Sequence, residues 1–298
     1  MFYRLRSKLN KTIYDFRCKG VLDKPTLPPL KDDVVILSAV GNHDLIMYLV
    51  AVKSFFARFG RGRAVVLVPD NFDDANLKIL VEQVNPLRVI RDGEVRVGRC
   101  PRGGTWERLV SIIDLLKEHY VIQLDADTVT VGDIGEVIQC VERNQSFTIG
   151  TWANQTIEPM ENARQNARKS TSTHVQILAE QNFDRLSNFQ TGSYVRGQSS
   201  FAGFAKGSFT HEALEEFSVE MSAVLGDRKW NEWGSESLAS NYVVANSTNA
   251  QVLPFPKYRG YVPGESLEKG RSFIHFEGTN RFKGGAYVRK SLEAIHGL

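Results

Sequence analysis

The stretch Tyr120-Val121-Ile122-Gln123-Leu124-Asp125-Ala126-Asp127-Thr128-Val129 decides how the chain is read. A run suited to the interior of a sheet ends in two carboxylates separated by one alanine. Residues i and i+2 of an extended chain share a face, so Asp125 and Asp127 can reach one cation where the strand relaxes into a turn. Two oxygen donors suit a hard ion such as Mg²⁺ or Mn²⁺, which commonly also holds phosphate oxygens. Acid pairs of this spacing are frequent on surfaces. A pair that closes a buried strand is different, because strand ends in α/β sheets open into the ligand crevice. The expected chemistry is metal-dependent and phosphate-linked.

Upstream, short β-branched runs alternate with helical patterns. Val34 to Ala39 reads as a strand, Asp44 to Phe59 as a helix closed by Gly60, and Ala64 to Val68 as a second strand. Asp73 to Val84 reads as a helix, Leu87 to Ile90 as a third strand, and Trp106 to His119 as a helix that delivers the chain into Tyr120 to Leu124. This alternation predicts an α/β domain with a mostly parallel, Rossmann-like sheet covered by helices on both faces. Val40-Gly41, Asp70 and the acidic triplet would lie along one edge of it. Downstream, the polar stretch 155–190 reads as a surface excursion with a helical patch at Val175 to Ala179. Ser199 to Phe204 reads as a strand and His211 to Leu225 as an amphipathic helix closed by Gly226.

A second motif stands near the end: Phe273-Ile274-His275-Phe276-Glu277-Gly278-Thr279-Asn280-Arg281-Phe282-Lys283-Gly284-Gly285. Here a histidine leaves an apolar strand and enters a glycine-rich, basic loop. Histidine is the commonest transition-metal ligand, and Arg281 or Lys283 can neutralise phosphate charge. Gly278 lets backbone approach a ligand closely. A lone histidine is more often structural; set beside two carboxylates, it completes a ligand set.

The chain has 298 residues, 42% hydrophobic and 24% charged, enough for one large domain. A net charge of +3 is too small to argue for nucleic acid as a partner. The excess is local: Arg4, Arg6, Lys8, Lys11, Arg17, Lys19 and Lys24 face only Asp15 and Asp23 in the first 24 residues. Phe2, Leu5, Leu9, Ile13 and Phe16 fall at roughly helical spacing there, predicting a basic amphipathic helix. Such a helix either packs on the domain or touches an anionic membrane. Prolines 25, 28 and 29 mark a linker after it. Residues 1–31 are therefore set apart from a domain over 32–298, with a nucleotide-binding half at 32–150 and an acceptor-side half at 151–298. No stretch reaches transmembrane length. The three cysteines are widely spaced and fit reduced thiols, so a cytoplasmic location, peripheral at a membrane, is the expectation.

These motifs resemble those of glycosyltransferases with the nucleotide-sugar-binding fold called GT-A, particularly family 8. Leu124-Asp125-Ala126-Asp127-Thr128 is similar to that family's Asp-x-Asp, which ligates Mn²⁺ bound to the donor diphosphate. His275-Phe276-Glu277-Gly278 is similar to the start of its His-x-x-Gly-x-x-Lys-Pro-Trp motif, whose His is the third protein ligand. Arg281 stands where that Lys is expected and Phe282-Lys283 replaces Pro-Trp. The resemblance implies Asp125, Asp127 and His275 as metal ligands. It implies Ala39, Val40, Gly41, Asp70, Arg108, Ala126, Ala202, Gly203, Gly278 and either Arg281 or Lys283 as donor-binding residues. Glu236, in Trp233-Gly234-Ser235-Glu236-Ser237, resembles the acid near the reacting sugar, although Ser237 replaces the usual Gln.

The activity implied is transfer of a hexose from a nucleotide-diphosphate donor, uridine diphosphate in this family, to a carbohydrate or glycoconjugate acceptor, with retention. A non-catalytic nucleotide-sugar or carbohydrate-binding protein on the same fold is the alternative. A haloacid-dehalogenase-like phosphatase also shares the string Asp-x-Asp-x-Val, but lacks a later close Asp pair: only Asp133, Asp184 and Asp227 follow. Sugar-phosphate nucleotidyltransferases need a basic glycine-rich loop after the first strand, which Val40-Gly41-Asn42-His43 does not supply. Trp152, Trp230 and Trp233 are candidates to stack on acceptor sugars.

Overall fold

A computed structural model describes residues 2–28, 30–267 and 270–298, with side chains from Leu9 onward. The side chains of Phe2, Arg4, Leu5, Arg6 and Lys8, and Pro29 of the linker, lie outside the described residues. The chain is mixed α/β with a mostly parallel sheet flanked by helices, as the alternation predicts. It divides into two compact units, one of residues 1–92, 124–138 and 255–298, the other of 93–123 and 139–254.

In the first unit the strands Val34–Ala39, Arg63–Val68 and Arg88–Arg91 run parallel, with Ala39 opposite Leu67 and Leu67 opposite Ile90. Their near-continuous Val, Ile and Leu content suits burial on both faces. The Leu45–Phe59 helix follows the first strand and ends at Gly60, whose φ of 71° gives the left-handed C-cap. The Asp74–Val84 helix starts on Asp73, whose carboxylate accepts from the Asn76 N–H at 3.0 Å. A smaller sheet has the order Tyr258–Gly260, Phe273–His275, Thr128–Thr130.

The first helix, Phe2–Cys18, packs into this same unit. Tyr14 and Cys18 are fully buried, and the Tyr14 hydroxyl lies 2.8 Å from Ser291 Oγ on the Ala286–His296 helix. Tyr14 also stacks on Tyr287 at 4.3 Å. Lys53, buried on the Leu45–Phe59 helix, donates to the carbonyls of Val21 and Lys24 at 3.2 and 2.9 Å, tying down the chain before the first strand.

The second unit orders its strands Gln251–Leu253, Phe147–Ile149, Gln198–Phe204, Tyr120–Leu124. Gln251–Leu253 runs parallel to Phe147–Ile149, while Phe147–Ile149 and Gln198–Phe204 are antiparallel. The stretch 155–190 is more than a surface excursion. It forms the helices Met160–Ala167 and Val175–Gln181, and buries Met160, Val175, Ala179 and Phe183. Its apolar stripe is built largely of alanines, Ala163 and Ala167, which carry little hydrophobic signal among Asn, Gln and Arg. The Trp106–Leu115 helix stops short of His119, because the Leu116 N–H turns onto both Ile112 and Ile113 carbonyls. The Ser235–Ala245 helix was invisible to periodicity: most of its residues are buried, so it has no polar face. Among the described residues no helix is long and apolar enough to cross a membrane.

Candidate metal centre and sugar-facing residues

The small sheet builds the metal centre. Its antiparallel register sets His275 opposite Thr128, one residue past Asp127, and the Phe276 N–H donates to the Asp127 carbonyl at 2.9 Å. The Thr128 hydroxyl donates back to the Asp125 carbonyl at 2.9 Å, making the turn that lets both carboxylates face one point. Ligand atoms of Asp125, Asp127 and His275 all lie within 4.8 Å of one another. Among the described residues this is the one cluster of three or more metal-ligating side chains of these types. Two carboxylates and an imidazole suit a divalent ion such as Mn²⁺ or Mg²⁺ better than a soft one. The three residues therefore fit a divalent metal, and could hold one.

Electrostatics keep the Asp127 carboxylate ionised and, with no cation bound, favour a proton on His275 that a metal would have to displace. His275 Nε2 lies 3.3 Å from Asp127 Oδ1, and both residues are buried. Burial alone would raise the Asp127 carboxyl, but the His275 imidazole and then the Arg281 guanidinium outweigh it and hold the group below the usual carboxylate range. For His275, burial works against the imidazolium, and Asp127 reverses the direction and raises it. The other ring nitrogen, Nδ1, is buried without a hydrogen-bond partner, so the ring is oriented from its Asp127 side.

Arg281 reaches the same carboxylate. Its Nη2 lies 2.5 Å from Asp127 Oδ2 and its Nε donates to the Phe276 carbonyl at 3.1 Å. Lys283 is exposed and donates to Asn280 Oδ1 at 2.8 Å. Gly278, at φ 48°, has open space where a Cβ would be. Ala126 is buried between the two acids. Val40 closes the first strand, its N–H donating to the Leu67 carbonyl at 2.8 Å, with Ala39 half-buried beside it. A Cβ on Gly41 would sit 2.8 Å from the Asp44 carboxylate, so this turn admits glycine best. Asp70 is exposed at the second strand end, its carbonyl accepting from Arg91 Nη1 at 2.8 Å. Asp44 escaped sequence reading. It stands at the N-cap position of the Leu45–Phe59 helix without a side-chain capping bond, and its carboxyl is raised by burial while Arg281 opposes the shift. Its place before a long apolar run was the available signal.

The remaining candidates belong to the second unit. Arg108 Nη2 lies 3.2 and 3.1 Å from the two oxygens of Glu236, and both side chains are buried. The Thr105 hydroxyl lies 3.0 Å from Glu236 Oε2. Thr105 has φ 76°, an uncommon conformation for a β-branched residue, and heads the helix that carries Arg108. Burial raises the Glu236 carboxyl, with Arg108 opposing. Thr105 was also missed; the only hint was Gly103-Gly104 before a helix. Ala202 is buried, and a Cβ on Gly203 would meet the Phe147 ring at 2.2 Å and the Tyr120 hydroxyl at 2.4 Å. Packing therefore accounts for the small residue at 203. Trp230 is core, its indole donating to Ser218 Oγ at 2.9 Å, whereas Trp152 and Trp233 are exposed.

No family model matches the chain, and no curated relative matches it. Among solved structures it is similar to apo WbbM, a bifunctional glycosyltransferase, with a TM-score of 0.51 at 13% identity, over 91% of this chain and 51% of that one. The chain thus spans about half the length of that protein. It is also similar to the galactosyltransferase LgtC in complex with donor and acceptor sugar analogues, at TM-score 0.45 and 11% identity, over 89% of this chain and 96% of that one. Core-mannan synthase A from Aspergillus fumigatus, in its Mn/GDP form, gives TM-score 0.42 and 9% identity, over 76% and 74%. At this identity the likeness to WbbM is one of fold, a mixed α/β chain with a mostly parallel sheet flanked by helices.

Proposed function

We propose that this chain is a metal-dependent glycosyltransferase of the family 8 type, moving a hexose from a uridine-diphosphate donor to a carbohydrate or glycoconjugate acceptor with retention. The observation that carries the reading is the Asp125–Asp127–His275 cluster at the end of a buried strand in this α/β fold. Asp125, Asp127 and His275 would hold the ion, Mn²⁺ or Mg²⁺, which when bound supplies Lewis-acid stabilisation of charge on the leaving diphosphate. Arg281, or Lys283, offers a further cation for diphosphate oxygens. Ala39, Val40, Gly41 and Asp70 are the proposed nucleoside-side residues, and Gly278 leaves room for a phosphate beside the backbone. Arg108, Ala202 and Gly203 are the proposed sugar-side residues. Glu236, its carboxyl oriented by Arg108 and Thr105, is the proposed stabiliser of the oxocarbenium-like sugar.

A second reading, nucleotide-sugar binding without turnover, draws on the same pair: both Glu236 oxygens are engaged by Arg108, which a purely structural ion pair would also produce. Release of uridine diphosphate from a panel of its sugars, with Mn²⁺ present, separates the two. Turnover that Asp127→Ala abolishes supports the transferase. Binding without turnover in the parent chain supports the second reading.

A further inference from the structure

The Phe2–Cys18 helix carries an apolar stripe that folding does not use. Leu9, Ile13 and Phe16, at i, i+4 and i+7, share one face and are 60, 45 and 70% exposed. The helix packs instead through Tyr14 and Cys18, on another face. Single exposed apolar side chains are ordinary, but three in a row on one helix face need a reason.

The surroundings of the stripe are basic and grooved. Arg17 and Lys19 are exposed, and Lys19 Nζ lies 5.1 Å over the Phe16 ring. The same 24-residue stretch holds seven cations against two carboxylates. Beside the stripe, Ile13 and Arg17 line a groove of about 690 Å³ with Val288, Arg289, Leu292 and His296 of the Ala286–His296 helix. Arg289 and His296 are exposed at its rim.

We propose that this face docks on an anionic lipid bilayer, with Leu9, Ile13 and Phe16 entering the headgroup and acyl boundary and Arg17, Lys19 and Arg289 lying against the headgroups. Charge selects this occupant. A second copy of the chain would bring like charge against like, whereas an anionic surface attracts each cation by about 1 kcal/mol. The apolar stripe with flanking cations is the pattern of a helix that lies in a membrane interface. The proposal stands independently of the sugar-transfer reading.

The test is co-sedimentation of the full chain with phosphatidylcholine vesicles, with and without phosphatidylglycerol, at low and high salt. The chain is expected to sediment with the phosphatidylglycerol vesicles and to leave them in high salt. A Leu9→Ser/Phe16→Ser double variant is expected to partition at least about tenfold more weakly. Its melting temperature should be unchanged, because both side chains are exposed. Arg17→Ser/Lys19→Ser should weaken partition in the same direction. Absence of binding to phosphatidylglycerol vesicles would overturn the proposal, as would equal partition of the Leu9/Phe16 variant. A dimer in sedimentation that the same variant dissolves would give the stripe to a second copy, and would also overturn it.

Discussion

Arg281 and Asp127, 154 residues apart, form an ion pair at 2.5 Å on the one carboxylate oxygen that His275 does not face. Asp127 thus carries a protein cation on one side and an imidazole on the other. A divalent ion at the cluster would stand close to the Arg281 charge and be repelled by it, while a diphosphate would attract both. The expected outcome is that Arg281→Met binds Mn²⁺ alone about tenfold more tightly and gains less from added uridine diphosphate. Manganese electron spin resonance titration with and without the nucleotide reads both quantities. Unchanged or weaker binding of Mn²⁺ alone by the variant would show that Arg281 does not restrain the metal.

Loss of the two kinds of ligand should differ. Asp127→Ala removes a charged ligand and His275→Ala a neutral one, so the histidine change is expected to weaken Mn²⁺ binding less. The same titration ranks them. A variant at His275 that binds as tightly as the parent would make His275 a structural residue.

The buried Arg108–Glu236 pair should be costly to break on one side. Arg108→Met leaves a buried carboxylate with only the Thr105 hydroxyl, at a cost of about 3–5 kcal/mol and a fall in Tm on the order of ten degrees. Replacing both members, Arg108→Met with Glu236→Leu, should recover part of that loss. Thermal unfolding by circular dichroism tests it, and a single variant as stable as the parent would contradict the pairing.

Gly203→Ala is expected to destabilise by roughly 1–3 kcal/mol, since the added Cβ meets the Phe147 ring and the Tyr120 hydroxyl. Were the glycine needed only to make room for a bound sugar, the same change would leave Tm in place and alter donor affinity alone.

Much of the first unit was legible because it obeys local rules. Val34–Ala39 and Leu45–Phe59 are marked by β-branched content, helical periodicity and Gly60, and the structure puts them within one residue of where those signals say. The acidic triplet was readable because a buried strand that ends in carboxylates has few structural explanations, and His275 because it leaves an apolar strand into a glycine-rich loop. The parts that stayed hidden depend on non-local pairing. Nothing near Arg281 in sequence announces Asp127, and the register of Phe273–His275 on Thr128–Thr130 that joins them is set across more than a hundred residues. The use of the first helix was hidden for a related reason. Periodicity finds the Leu9, Ile13 and Phe16 stripe, yet Tyr14 and Cys18 make the packing face, through an aromatic stack on Tyr287 that no pattern reports.

Asp125, Asp127 and His275 are proposed to form a metal-dependent nucleotide-sugar site. Calorimetric titration of a panel of nucleotide sugars into the purified chain, first with Mn²⁺ and then with chelator, tests it most directly. A donor is expected to bind with Mn²⁺ present, and chelation to abolish the heat. Binding that is indifferent to chelator, or no binding by any donor, would contradict it.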